Sequence, residues 1–148
     1  MRKVLAVCKG NRARSPMFEH LLRRAIEKAG ANDVIESAAG LQEAAGKEAE
    51  EGAAIALAGV GIDISSHRSR FIGDLDLSGF DVIYCMDPGV IPIVESLKPE
   101  GVRVLLVNEA EGGIPNPYGK DQAAYQLALE ITEREVMRIL SEDLYPTL

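Results

Sequence analysis

An apolar run, Val4-Leu5-Ala6-Val7, passes directly into Cys8-Lys9-Gly10-Asn11-Arg12-Ala13-Arg14-Ser15-Pro16 and then into a helical pattern. No other stretch constrains the fold of the chain as tightly. Consecutive apolar residues bounded by polar ones read as a buried strand. Ser15 suits a helix cap and Pro16 suits a first turn. Phe18, Leu21, Leu22, Ala25, Ile26 and Ala29 then recur at helical spacing, and Gly30 closes the run. A loop between a strand end and a helix start points backbone N–H groups at a common centre, an arrangement suited to an anion. Cys8 places a nucleophile at one lip of that loop, and Arg14 places a bidentate oxyanion clamp at the other.

The same alternation continues along the chain. Strand patterns are predicted at 3–7, 34–38, 81–86 and 102–107, and helices at 48–58, 90–97 and about 121–142. In the last helix Tyr125, Leu129, Thr132, Val136, Ile139 and Leu140 share one face. Strands alternating with helices over short connections predict an α/β fold, a parallel sheet with helices on both faces. The 148 residues contain no repeat, low-complexity tract or linker and are read as one domain, 1–148. Ligands in such folds bind at the carboxyl ends of the strands. Cys8 ends the first predicted strand, and Asp87 follows the third. The segment 108–120, with Gly112, Gly113, Pro115, Pro117 and Gly119, is a long irregular loop of the kind that carries function.

Charge narrows the ligand class. The formal net charge is −7, yet residues 1–28 carry eight Lys or Arg against Glu19 and Glu27, a net of +6, which leaves −13 on the remaining 120 residues. That distribution argues against nucleic acid and for a small anionic group. Arg23, Arg24 and Lys28 read as a solvated basic helix face. No apolar run approaches a membrane span, and Arg2-Lys3 precede too short an uncharged stretch for a signal core. A cytoplasmic protein with no membrane partner is expected. Cys8 and Cys85 form no disulfide framework, and with His20 and His67 they show no metal-ligand spacing, so neither metal nor cofactor is expected. Cys85, after Val82-Ile83-Tyr84, reads as a packed core thiol.

A thiolate facing loop amides and a guanidinium is the equipment for hydrolysing a phosphate monoester through a covalent intermediate. Helix N-termini and nearby cations favour thiolate over thiol, and Ser15 can donate to the sulfur. Gly10 lets the backbone approach the anion, and Asn11 tolerates a left-handed turn.

The chain resembles the low-molecular-weight protein tyrosine phosphatase family, whose fold is shared with the thioredoxin-coupled arsenate reductases. The family's opening signature, V-C-x-G-N-x-C-R-S-P, is matched by Val7 to Pro16. Further similarity lies in Gly61-Ile62-Asp63-Ile64-Ser65-Ser66-His67-Arg68-Ser69-Arg70, in Phe80-Asp81 with Met86-Asp87, and in Asn116-Pro117-Tyr118, where the family has Asp-Pro-Tyr. The resemblance implies a three-layer sandwich with strand order 2-1-3-4. It implies Cys8 as nucleophile, Arg14 as phosphate clamp, Ser15 as thiolate stabiliser, and Asn11 and His67 as supports of a loop that also includes Lys9, Gly10, Arg12 and Ala13. It places Tyr118 at the substrate lip. The expected partners are a phosphorylated protein or a small-molecule phosphate, together with inorganic phosphate or a similar oxyanion.

Three positions depart from the family pattern. Asn116 stands at the general-acid position, and an amide cannot act as a Brønsted acid; such help is typically worth about 10²–10⁴-fold in rate. Slow turnover biased to good leaving groups is expected unless another carboxylate, Asp121 or Glu111, reaches in. Asn116 also suits a plain turn before Pro117. Ala13 replaces a cysteine that guards the nucleophile in many relatives, which weakens an arsenate reductase reading. Arg12 replaces a small or apolar residue, which disfavours phosphoarginine and suits an acidic or multiply phosphorylated substrate; its bland alternative is a solvated side chain. Two functions of different class remain open, a cysteine-dependent phosphatase and a phosphate- or phosphotyrosine-binding module that has lost turnover, with an oxyanion reductase behind both.

Overall fold

The computed structural model describes residues 1–146. Four strands, β1 (Lys3–Cys8), β2 (Val34–Ala39), β3 (Val82–Cys85) and β4 (Arg103–Leu106), form one parallel sheet in the order β2-β1-β3-β4. The helices are α1 (Arg14–Lys28), α2 (Glu51–Ala58), α3 (Ile91–Leu97) and α4 (Gln122–Ile139). None is long and apolar enough to cross a membrane.

The period-two alternation of the strands sorts the core into two layers. Val4, Ala6 and Cys8 of β1 and Val82 and Tyr84 of β3 pack with Phe18 and Leu22 of α1, Leu57 of α2 and Leu129 of α4. Leu5, Val7, Ile83 and Cys85 face the opposite way, against Val94 of α3 and short 3-10 turns that supply Ile72 and Leu77. The α/β three-layer architecture and the strand order match the expectation. The register puts Val7 beside Cys85, while Cys8 pairs with Ala39. Cys8 and Cys85 therefore belong to opposite faces of the sheet.

The chain leaves β1 for β2 on one side and then crosses to β3 on the other. The ends of β1 and β3 consequently flank a topological switch point, where parallel sheets open a crevice. Cys8 and Asp87 sit at its two sides.

Several boundaries differ from the sequence expectation for identifiable reasons. α1 starts at Arg14, not Pro16, and its N-cap is Ala13 with no side-chain cap. Ser15 lies inside the first turn, because its hydroxyl bonds to Cys8 and Asn11 instead of to a backbone amide. α2 starts at Glu51, since Glu48 is bridged to Arg68 and Glu50 is extended. α4 ends at Ile139 and continues as one wide turn through Leu140–Leu144. Arg23 and Arg24 are not a free solvated face: Arg23 pairs with Glu19 and donates to the Ile35 carbonyl, and Arg24 donates to the Val60 carbonyl.

Candidate active site

The loop between β1 and α1 has its carbonyls tied outward. Cys8 O accepts from the Gly40 amide at 2.8 Å, Lys9 O from the Leu41 amide at 3.2 Å, and Arg12 O from the Glu50 amide at 2.8 Å. Asn11 O lies 2.7 Å from His67 Nε2, which must donate because a carbonyl only accepts. The amides of Gly10, Arg12 and Ala13 meet no acceptor among the described residues. Peptide groups whose oxygens are pinned outward turn their N–H groups inward, and so form an anion nest. Asn11 provides the reversal, with φ of 55° in the left-handed region.

The Asn11 side chain holds that turn at three points. Nδ2 donates to Ser15 Oγ and Ser37 Oγ, both at 2.8 Å, and Oδ1 accepts from the Arg70 amide at 3.0 Å. Ser37 in turn donates to Glu19, which pairs with Arg23. Asn11, Ser15 and Ser37 are all buried, and each has a partner. Glu19, His20 and His67 converge closely enough to suggest ligands. However, Glu19 already accepts from two donors, and His67 Nε2 is committed to the loop. With Ser37 and Arg23 the trio forms a hydrogen-bonded buttress behind the loop.

Cys8 Sγ lies 3.1 Å from Ser15 Oγ and 3.2 Å from the Asn11 amide. The Arg14 guanidinium is 4% exposed and is gripped from behind, NH1 donating to Asp87 Oδ2 at 2.9 Å and to the Ile114 carbonyl at 3.1 Å. Its Nε and NH2 have no protein partner among the described residues, and Arg14 lines one cavity with Cys8. Burial works against the Asp87 carboxylate, but the hydrogen bonds from Arg14 and the Gly89 amide and the charges of Arg14 and Lys9 outweigh it. They hold that carboxyl below its ordinary range.

This cavity of about 270 Å³ brings together Cys8, Lys9, Gly10, Arg12, Ala13 and Arg14 with Asn116 and Tyr118 from the distant loop. Lys47 and Glu50 complete its polar wall. Asn116 is exposed, and its Oδ1 accepts from the Tyr118 amide at 3.2 Å, which gives the turn role alongside the place at the cavity. Neither Asp121 nor Glu111 lines the cavity. Asp121 caps α4 through the Ala124 amide, and Glu111 sits exposed in a 3-10 turn. Arg12 is not loose in solvent, since its Nε donates to the Glu48 carbonyl at 2.7 Å. Cys85 is fully buried, and that burial pushes its thiol up to about 12, with Glu95 adding to the effect. It has no path to Cys8 through the sheet. Ser37, Arg70, Asp87 and Glu50 were not identified as site residues from sequence. A serine in a strand or a glutamate before a helix carries no local mark of the loop it supports.

A thiol, an amide nest and a clamped arginine at a parallel-sheet switch point define a phosphate-loop protein with a cysteine nucleophile position. The sequence model of the low molecular weight phosphotyrosine protein phosphatases matches residues 3–145, and the chain belongs to that family, a family of hydrolases. It is 33% identical over 138 residues to a protein of Ralstonia nicotianae described as a probable low molecular weight protein-tyrosine-phosphatase, EpsP, spanning 92% of each chain. Among solved structures it is similar to Primo-1, with a TM-score of 0.87 at 27% identity over 97% of this chain and 99% of that one. It is also similar to Vibrio vulnificus Wzb in complex with benzylphosphonate, with a TM-score of 0.81 at 25% identity over 93% and 95% of the two chains.

Proposed function

We propose that the protein is a cytoplasmic, metal-independent phosphatase that hydrolyses phosphotyrosine-type monoesters through a phosphocysteine intermediate. The observation that carries this reading is the Cys8 sulfur, bonded to Ser15 and the Asn11 amide in the cavity that Arg14 also lines. The phosphoryl oxygens take the free loop amides and the forward nitrogens of Arg14. Cys8 attacks phosphorus in line, the S–P bond forms, and the ester P–O bond breaks. Water then attacks phosphorus, the S–P bond breaks, and phosphate leaves with the thiolate restored. Asp87 and the Ile114 carbonyl position Arg14 before substrate arrives, so little reorganisation is needed during the reaction. The benzylphosphonate bound by the Vibrio relative carries the same pairing of aromatic ring and tetrahedral oxyanion. Asn116 can orient a leaving oxygen through its amide but supplies no proton.

The alternative, a binding module, draws on that same asparagine. Release of p-nitrophenol from p-nitrophenyl phosphate separates the two readings. Turnover that disappears in Cys8→Ser, with the variant still folded and binding phosphate, supports the enzyme. Phosphate binding by the unaltered chain with no turnover supports the module and overturns the phosphatase.

A further inference from the structure

We infer that Glu50 is the proton donor to the leaving oxygen, taking the chemical role that Asn116 cannot fill. Glu50 is the one carboxylate among the residues that line the cavity with Cys8 and Arg14. It occupies the N-cap of α2, yet its side chain makes no cap hydrogen bond. A carboxylate at that place has a helix start to bond, and here it is turned away to a different partner. Oε1 accepts from the Tyr125 hydroxyl at 2.5 Å, which leaves Oε2 without a protein partner among the described residues. The backbone is strapped to the phosphate loop itself, the Glu50 amide donating to the Arg12 carbonyl at 2.8 Å. The carboxyl is thus registered to the nucleophile's own loop from one side and to α4 from the other. Its unpartnered oxygen is therefore held at the wall of the cavity that contains the nucleophile.

The groups facing it are Arg12 on the loop, Lys47 on the segment before α2, Tyr118 and Lys120 beyond Asn116, Tyr125 on α4 and the neighbouring Glu51. Tyr125 keeps its proton at working pH, since burial and the bond to Glu50 push it up to about 12. It therefore stays a donor and fixes which carboxyl oxygen remains available.

In the first half-reaction the Cys8 S–P bond forms, the ester P–O bond breaks, and the proton on Glu50 moves to the departing oxygen. In the second, water attacks phosphorus as the S–P bond breaks, and its proton returns to Glu50. No outside reactant is required beyond water.

The inference rests on the phosphatase reading, and the test separates the two. Kinetics are measured for the unaltered chain, Glu50→Gln, Cys8→Ser and the double variant Glu50→Gln/Asn116→Asp. The substrates are p-nitrophenyl phosphate, with a good leaving group, and phenyl phosphate, with a poor one. Glu50→Gln keeps the bond from Tyr125 and the cavity shape. It is expected to lower kcat on phenyl phosphate by about 10²-fold, to change p-nitrophenyl phosphate far less, and to remove the alkaline limb of the kcat–pH profile. The double variant is expected to regain phenyl phosphate turnover. Equal losses on both substrates with no change of pH profile would assign Glu50 a structural role and overturn the inference. So would unchanged phenyl phosphate turnover in Glu50→Gln while Cys8→Ser is inactive, and this leaves the phosphatase standing. Activity that survives in Cys8→Ser, or none in the unaltered chain, overturns the phosphatase reading and this inference with it.

Discussion

At the scale of single residues the site is a set of side chains whose second role decides the first. Arg14 can clamp an oxyanion because Asp87 and a carbonyl hold one of its nitrogens. Asn11 can take a left-handed turn because three hydrogen-bond partners, the buried Ser15 and Ser37 hydroxyls and the Arg70 amide, hold its side chain. Arg12 is fixed to the Glu48 carbonyl, so its charge stands at the cavity wall with Lys9 and Lys47 instead of swinging freely. This local excess of cations suits a substrate with negative charge beside its phosphate. Arg12→Ala is expected to raise KM severalfold for a phosphotyrosine peptide with acidic neighbours and to leave KM for p-nitrophenyl phosphate nearly unchanged. The difference should shrink as salt rises past about 0.5 M, where exposed charges are screened within a few Å. Equal effects on both substrates would place Arg12 in loop support alone. Cys8 and Arg14 were legible in the sequence from their spacing, Asn11 as a residue that tolerates a left-handed turn, and the support given by Asn11 and His67 through family resemblance. Glu50 was hidden inside an expected helix, because a run of Glu and Ala has helical propensity whichever residue begins it.

At the scale of elements, the site is made where three segments that are distant in sequence are pinned to one loop. The 40–50 segment binds the carbonyls of Cys8, Lys9 and Arg12, the His67–Arg70 segment binds Asn11, and the 108–120 loop holds Arg14. Gly113 is the joint of the last of these. Its φ of +106° lies outside the comfortable range of L side chains, and an added Cβ would meet the Met86 carbonyl at 2.7 Å. The adjacent Ile114 amide bonds that same carbonyl at 2.8 Å. Gly113→Ala is therefore expected to cost about 1–3 kcal/mol in urea unfolding. It should also weaken phosphate binding, because Ile114 O must shift away from Arg14. Full stability and full binding would show that the loop relaxes without disturbing the guanidinium. The strands were legible to within a residue or two, since their apolar runs are bounded by charge and glycine. The helix starts were less so, because in α1 the side chain that looked like a cap bonds Cys8 and Asn11, and in α2 Glu48 is bridged to Arg68 while the Glu50 carboxylate accepts from Tyr125.

At the scale of the whole molecule, the sheet separates two chemistries. Its α1/α2/α4 face and its carboxyl edge carry the Cys8 thiol and its loop, while the α3 face buries Cys85 as packing. The acid side of stability is tied to the same edge. Asp87 and Glu135 both have carboxyls held below their ordinary range. For Glu135 the Arg138 hydrogen bond leads, against burial, with the Asn108 amide helping. A depressed native value contributes stability above the unfolded value, near pH 4, and loses it as pH falls through the native value. Urea midpoints should therefore decline below about pH 4, and more shallowly in Asp87→Asn, which has already given up its share. An unchanged acid slope in that variant would remove Asp87 from the linkage. The sequence by itself determined the strand–loop–helix unit, the parallel α/β class and the thiol-and-arginine pair, because apolar periodicity and short spacing are local properties of a chain. Only the tertiary structure decided which carboxylate lines the cavity of the thiol, which oxygens the loop turns outward and why Cys85 is out of reach. Those depend on register and on contacts between residues that are tens of positions apart, and no local pattern encodes such distances.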